Sequence, residues 1–249
     1  MTDPSPHLPD SPPHAEPVAV APAMLHDGED WFVLDKPRGW HCVESARSQG
    51  GPCVATWLAQ REPALAALTE LGLVHRLDRS TSGCLLVARS AEVQTDLREA
   101  MAVATGPWAA RKDYLALVAR GLESKGAFDL YFSGRHKSSA KVTARPHGES
   151  SDRGRCAWQV VRAAAKSARK GAPAGFDLVE IELIGPGRRH QIRSGFAFLG
   201  HPLAGDALYE GKPVDCAGDG AALHAYRLKV AGQMIEAPRP DWAINRSQR

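Results

Sequence analysis

The sequence has few cysteines, and their spacing excludes the usual cysteine-based sites. Five are present, an odd number, and no two stand in a C-x-x-C arrangement. Neither a disulfide framework nor a zinc site is therefore predicted, and a reduced cytoplasm fits this usage. We expect the cysteines to serve as small buried hydrophobic side chains.

Long apolar runs are also missing. No segment approaches the roughly 18 apolar residues that a membrane-spanning helix needs, and the N-terminus lacks the basic and then apolar start of a secretory signal. The sequence therefore predicts a cytoplasmic protein without a membrane partner.

The first 23 residues contain no aromatic residue, no lysine and no arginine, but seven of the eighteen prolines. Such a segment cannot bury enough apolar surface to offset the entropy lost on ordering. We expect residues 1–23 to form a disordered tail and residues 24–245 to form one folded domain. We therefore expect no further small domain before Met24.

Hydrophobic patterning in the folded part predicts more strands than helices. Short apolar or alternating runs predict strands at 31–34, 84–88, 114–118 and 179–183, and a hairpin at 223–230 and 234–237. Helices are predicted at 53–68, at 91–103 after the capping residue Ser90, and from about Ile192 to Leu199. Because the two element types do not alternate regularly, we expect an α+β fold.

Positive charge is concentrated in one segment. The formal net charge is only +3, but residues 135–170 carry ten basic residues against two acidic ones, which gives this segment +8. Such an excess is typical of proteins that bind polyanions. A solvated basic loop would have the same composition, so charge alone leaves both interpretations open.

The densest polar cluster is the nonapeptide H-R-L-D-R-S-T-S-G at 75–83, directly before a predicted buried strand. Asp78 stands between Arg76 and Arg79, and nearby guanidinium groups favour an ionised carboxylate. Such a group can act as a nucleophile or base. The alternative is a salt-bridged turn in which Thr81, Ser82 and Gly83 supply turn chemistry.

The nonapeptide resembles the H-R-L-D-R-x-T-S-G signature of the pseudouridine synthases, in the branch that acts on large-subunit rRNA and tRNA. The resemblance extends over about residues 24–240. Further segments similar to family motifs are D-K-P-x-G at 35–39, K-D-Y at 112–114, G-R-R-H-Q-I-R at 187–193, G-H-P-L-A-G-D at 200–206 followed by Tyr209, and L-H-A-Y-R-L at 223–228.

The resemblance implies a fold and a set of roles. The fold would be the pseudouridine synthase catalytic fold, with a mixed, mainly antiparallel central sheet flanked by helices and loops, over residues 24–245. Asp78 would be the nucleophile, Tyr114 would stack on the target base, and Arg193 would pair with Asp78. Arg76 would enter the RNA stack in place of the flipped nucleotide. The resemblance implies no cofactor and no metal.

RNA is the expected partner, and we expect the chain to act as a monomer. In addition to Arg76, the predicted RNA-binding residues are Arg79, His190, Arg135, Lys137 and Lys141. Taken singly, Tyr114 could be a core tyrosine, Arg193 a surface charge and His190 a structural histidine.

Arg189 and Gly195 depart from the family pattern. A glycine inside a helix lowers stability by about 0.5 to 1 kcal/mol relative to alanine.

The leading hypothesis is therefore isomerisation of specific uridines to pseudouridine in structured rRNA or tRNA. The alternative is a catalytically silent RNA-binding or assembly factor on the same fold. A kinase is disfavoured because the glycine-rich loop and the Asp-Phe-Gly motif are missing. A glycosidase is disfavoured because the sequence indicates no second carboxylate that would face Asp78.

Overall fold

The computed structural model describes residues 20–44, 50–103, 109–134, 139–164, 175–215 and 220–244. Ten strands in these residues, numbered β1 to β10 along the chain, form one sheet. Their spatial order is β1-β2-β3-β9-β4-β8-β7-β5-β6, and β10 pairs with β9. All neighbouring strands are antiparallel except β3 and β9. With three α-helices in the described residues, the chain has the predicted α+β fold, with a mixed and mainly antiparallel sheet.

The N-terminal half of the sheet contains three antiparallel strands. They are β1 (Ala23–Asp27), β2 (Trp31–Lys36) and β3 (Ser82–Ala88). The strands predicted at 31–34 and 84–88 are confirmed, whereas β1 is not predicted by the pattern. Most of the predicted tail, residues 1–19, lies outside the described residues.

Gly83 allows β3 to approach β9 (Leu223–Val230) closely. Its φ is +106°, and a Cβ at this position would lie 2.1 Å from the carbonyl oxygen of Ala225. Only glycine fits such an approach at positive φ. This requirement explains why the nonapeptide ends in glycine where the strand begins.

The first predicted helix is wrong at its C-terminal end. α1 covers Val54–Arg61, and a short 3-10 helix follows at Pro63–Ala67. Glu62 has φ −127°, away from the helical region, because a residue before proline is sterically disfavoured in helical conformation. The second predicted helix is confirmed. α2 covers Ala91–Ala102, and the Ser90 hydroxyl accepts a hydrogen bond from the Val93 amide.

The C-terminal half of the sheet is longer than predicted. The strands are β4 (Arg111–Ala119), β5 (Lys125–Ser133), β6 (Thr143–Arg145), β7 (Arg153–Arg162) and β8 (Phe176–Ile184). β4 and β8 confirm two predicted strands and extend them. The segment of +8 charge is not simply a loop, because β6 and β7 lie within it. The predicted hairpin is also confirmed, with β10 at Gln233–Glu236.

α3 covers Gln191–Phe198 and packs on one face of the sheet. Ile192 and Phe196 point into the core, as the spacing predicts. A Cβ on Gly195 would lie 2.4 Å from the Phe128 ring, so packing against β5 accounts for this departure from the family pattern. His190 lies just before the helix and has φ 54°.

None of the helices in the described part of the chain is long and apolar enough to span a membrane. The described cysteines, Cys42, Cys53, Cys84 and Cys156, are all buried and free, which fits the role expected of them.

Candidate active site

A cavity of about 900 Å³ opens on the face of the sheet that α3 covers. The nonapeptide, β4 and the start of α3 contribute its walls. Among the described residues that line it, Asp78 is the one acidic residue. The basic lining residues are Arg76, Arg79, Arg98, Lys112, Arg188, Arg189 and Arg193. A concave site with this excess of positive charge attracts an anionic ligand.

Asp78 lies in the turn before β3, where its carbonyl accepts a hydrogen bond from the Thr81 amide. One carboxylate oxygen, Oδ2, accepts a hydrogen bond of 2.9 Å from Nη1 of Arg193. The other oxygen, Oδ1, has no hydrogen-bond partner within the described residues, and the side chain is 27% exposed. A tethered carboxylate therefore keeps one oxygen open to the cavity.

Arg193 is held from its other side by Asp206, a residue to which sequence reasoning assigned no role. Nε and Nη2 of Arg193 donate to the two carboxylate oxygens of Asp206 over 2.6 and 2.8 Å. Burial alone would lower the pKa of Arg193, but the hydrogen bonds of Asp206 and the charge of Asp78 raise it. This bidentate pair fixes the plane of the guanidinium and directs Nη1 at Asp78.

His190 lines the cavity next to Asp78, with Nε2 at 3.8 Å from Oδ1. Its Nδ1 lies 2.9 Å from the hydroxyl of Tyr209, which also bonds both backbone groups of Val142. Burial lowers the pKa of His190 to about 4; the charge of Asp78 opposes this shift, and the charges of Arg193 and Arg189 add to it. The imidazole is therefore neutral at pH 7.

Tyr114 lies on the cavity face of β4, directly opposite Ile181 of β8, and is 8% exposed. On the other side of β4 the pairing with β9 shifts between Asp113 and Tyr114. Such irregularities change the direction of a side chain and are common beside active sites. Burial raises the pKa of Tyr114, as does the charge of Asp78 to a smaller extent, so the phenol is protonated at neutral pH.

A buried ammonium group supports the Asp78 turn from below. Lys36 is fully buried, and its Nζ donates to the carbonyls of Pro37, Trp40 and Arg79 over 2.8 to 3.4 Å. Burial lowers the pKa of Lys36 to about 8, although the nearby Asp78 charge opposes this. These bonds join the end of β2 to the residue that follows Asp78.

The structure places the predicted RNA-binding residues at different depths. Arg76, Arg79 and His190 line the cavity. The Arg76 side chain is 63% exposed, with Nη1 at 3.8 Å from Glu70. Lys141 is not a lining residue but lies over the Tyr209 ring, 5.4 Å from its centre. Arg135 and Lys137 lie outside the described residues.

Arg189, the second departure from the family pattern, also has a structural explanation. Its guanidinium donates to the carbonyl of Ala140 over 2.6 Å and to that of Ser139. These bonds connect the start of α3 to the segment that precedes β6.

In the described ranges, no three His, Cys, Asp or Glu side chains form a cluster that could hold a metal ion.

Comparison with known proteins agrees with the motifs. The model of the RNA pseudouridylate synthase family matches residues 30–198, more than half of the chain. The chain belongs to this family. The match includes Asp78, Tyr114 and Arg193 and ends before Asp206. The family resemblance inferred from the motifs is thus confirmed.

Several curated proteins named "Ribosomal large subunit pseudouridine synthase D" are similar in sequence. The one from Xylella fastidiosa is 33% identical over 204 residues, which are 82% of this chain and 56% of the relative. The one from Nitrosomonas europaea is 30% identical over 237 residues, 90% of this chain and 63% of the relative. The chain spans a little over half the length of these relatives.

Two solved structures share the fold of this chain. "Human RNA Pseudouridylate Synthase Domain Containing 1" has a TM-score of 0.61 at 20% identity, covering 91% of this chain and 86% of that chain. "Human RNA Pseudouridylate Synthase Domain Containing 4" has a TM-score of 0.60 at 19% identity, covering 88% and 89%. The expected catalytic fold of the family is therefore confirmed.

Proposed function

We propose that this chain isomerises uridine to pseudouridine in structured RNA, with Asp78 as the nucleophile. The observation that carries the proposal is the pair formed by Asp78 and Arg193, 2.9 Å apart in a basic cavity although 115 residues separate them in sequence. The arrangement bonds one carboxylate oxygen to a guanidinium and leaves the other oxygen free, as nucleophilic catalysis requires.

In the proposed reaction the bond between C1′ and N1 of uridine breaks and a bond between C1′ and C5 forms. C5 loses a proton to solvent and N1 takes one up, so the product is an isomer of the substrate. Oδ1 of Asp78 attacks the sugar at C1′ or the base at C6 while the base detaches and rotates, and its bond to the nucleotide breaks again as the product forms. The balance needs no oxidant, reductant or group donor, so we expect neither a cofactor nor a metal.

The target base must leave its helix before Asp78 can reach it. Extrusion costs a few kcal/mol, and stacking on aromatic or guanidinium planes compensates for it. Tyr114 would offer its ring to the base inside the cavity, and the exposed Arg76 would fill the vacated position in the RNA. Both residues line the same cavity as Asp78, so the flipped nucleotide and the RNA helix that it leaves can be bound together.

We propose rRNA as the substrate, because the similar curated proteins carry the words "ribosomal large subunit" in their names. The excess of basic over acidic residues in the cavity would position RNA through its phosphates without reading sequence. We further propose a monomer that works in the cytoplasm.

The release of tritium tests this function. Unmodified large-subunit rRNA transcribed with uridine labelled at C5 is incubated with the wild type, with Asp78→Asn, and with Asp129→Asn as control. Asp129 pairs with Arg153 on the surface and lies outside the cavity. We expect release with the wild type and the control only. A wild type that binds the RNA but releases no label would favour the silent binding factor, and an active Asp78→Asn would remove Asp78 from its role.

A further inference from the structure

We infer that Nε2 of His190 accepts a hydrogen bond from the ribose 2′-hydroxyl of the target nucleotide, so that His190 selects RNA over DNA at the reacting sugar. The inference rests on the proposed function and deepens it by naming a contact beside the nucleophile. It is carried by the hydrogen bonds around Tyr209 and by the distance between His190 and Asp78.

The hydrogen bonds around Tyr209 determine which nitrogen of the imidazole carries the proton. The Tyr209 hydroxyl donates to the carbonyl of Val142 over 3.0 Å and accepts from the amide of Val142 over 3.0 Å. A hydroxyl has one hydrogen and two acceptor positions. The remaining acceptor position faces Nδ1 of His190 at 2.9 Å, so Nδ1 carries the hydrogen. Nε2 is then an unprotonated acceptor that faces the cavity.

His190 is also uncharged at pH 7, because burial disfavours the imidazolium by more than the charge of Asp78 favours it. A protonated imidazole would attract the Asp78 carboxylate and compete with a ligand for its free oxygen. The neutral form with hydrogen on Nδ1 cannot donate toward Asp78, so both Nε2 and Oδ1 remain available to a ligand.

Attack of Asp78 at the sugar would bring the 2′-oxygen close to His190. Nε2 and Oδ1 are 3.8 Å apart, too far for a direct hydrogen bond. When Oδ1 approaches C1′, the 2′-oxygen is only two bonds away from that carbon and lies beside the carboxylate. A hydroxyl there would lie within reach of Nε2, a neutral acceptor 3.8 Å from Oδ1. The 2′-hydroxyl is also the group that distinguishes RNA from DNA.

The imidazole is held ready for this contact. His190 has a left-handed backbone with φ 54° and ψ 21°, which is strained for a residue other than glycine and is maintained only by surrounding structure. The Tyr209 ring packs edge-on against the imidazole with ring centres 5.7 Å apart. The side chain is 11% exposed, so little conformational freedom is lost when the sugar binds.

The experiment compares two RNAs that differ only by a single 2′-deoxy substitution at the target uridine, found first by mapping the modified position. For each enzyme the ratio of kcat/KM on the two RNAs is measured by tritium release. The ratio does not depend on the fraction of folded enzyme, so partial misfolding of a variant does not affect it. The variants are His190→Ala, His190→Gln and the control His201→Ala, which removes a histidine that bonds the Ala119 carbonyl outside the cavity.

We expect the deoxy substitution to reduce kcat/KM of the wild type and of His201→Ala about tenfold more than that of His190→Ala, the loss typical of one hydrogen bond. His190→Gln should restore part of the discrimination, since its amide oxygen can accept at the same place. An unchanged ratio in His190→Ala, with the wild type active, would overturn this inference alone. A wild type without activity on either RNA would overturn the proposed function and this inference with it.

Discussion

Asp206 binds the guanidinium of Arg193 through two hydrogen bonds and leaves its third nitrogen free to bond Asp78. Asp206 is 1% exposed, whereas Asp78 remains open to the cavity. Two carboxylates thus share one cation but differ in access to ligand. The buried one fixes the cation, and the accessible one is left with a single bond and a free oxygen.

This arrangement makes Asp206 a positioning residue whose loss should affect catalysis more than binding. We expect Asp206→Asn to lower kcat about 10- to 100-fold and to change KM for RNA less than threefold, because Arg193 is no longer aligned while the outer basic residues are intact. Breaking a buried ion pair also costs about 3 to 5 kcal/mol of stability. Steady-state kinetics measured below the unfolding temperature, with Asp129→Asn as the control, separate the effect on catalysis from the effect on stability. A kcat equal to that of the wild type would show that the alignment does not matter.

Tyr209→Phe removes the hydroxyl that joins His190 to Val142. We expect the free energy of unfolding to fall by about 1 to 3 kcal/mol, because the buried backbone groups of Val142 lose a partner. The discrimination against the 2′-deoxy RNA should also weaken, since the imidazole is no longer fixed. Urea unfolding and the kinetic ratio measure these effects, and Tyr131→Phe on β5, outside the cavity, is the matched control. Retention of full discrimination would argue against the role of Tyr209.

The stability of the protein should fall as the pH decreases from 6.5 to 4, in part because of His224. This residue is 3% exposed, bonds the Ser82 hydroxyl through Nδ1, and has a pKa lowered to about 4 by burial. Between the two pH values the unfolded chain binds a proton that the folded chain does not, so acidification favours unfolding.

We expect His224→Asn to lose less stability than the wild type over this interval, by on the order of 1 to 3 kcal/mol. Urea unfolding at pH 4.5 and 7.5 measures the difference, and His147→Asn, which changes an exposed histidine, is the control. Equal pH dependence in His224→Asn and the wild type would contradict the assignment.

Gly195→Ala should destabilise the protein although alanine is the better helix former. The added Cβ would lie 2.4 Å from the Phe128 ring, and overpacking of this kind costs about 1 to 3 kcal/mol. Thermal unfolding should show a lower midpoint, and Phe128→Leu in the same chain should recover part of the loss. An increase in stability for the single variant would refute the packing explanation.

The sequence was informative about the site because its residues fall in local motifs. Asp78, Tyr114 and Arg193 come from three separate segments, and each motif identified its own residue. Which groups surround them is a tertiary property. Asp206 and Tyr209 both belong to a segment that resembles the family, and that resemblance was the available signal. No local pattern indicates that Asp206 faces Arg193 or that Tyr209 bonds His190.

The fold was predictable where apolar runs are continuous and less so where charge or small residues interrupt them. β5 alternates Phe128, Leu130 and Phe132 with exposed or partly exposed residues, a period-2 signal that could have predicted a strand. In β7 the inward positions before Trp158 are Gly154 and Cys156, so the basic residues between them dominate the composition. Hydrogen bonding to β5 and β8 determines this strand, and a local pattern does not contain that information.

Direct detection of pseudouridine tests the central claim most closely. Unmodified large-subunit rRNA is incubated with the wild type, Asp78→Asn or Arg193→Lys, digested to nucleosides and separated by chromatography. We predict that the wild type produces pseudouridine at a fixed number per RNA, that Asp78→Asn produces none, and that Arg193→Lys produces it at least tenfold more slowly because lysine cannot bind both carboxylates in the same plane. Wild-type yields of pseudouridine from purified Asp78→Asn would contradict the account.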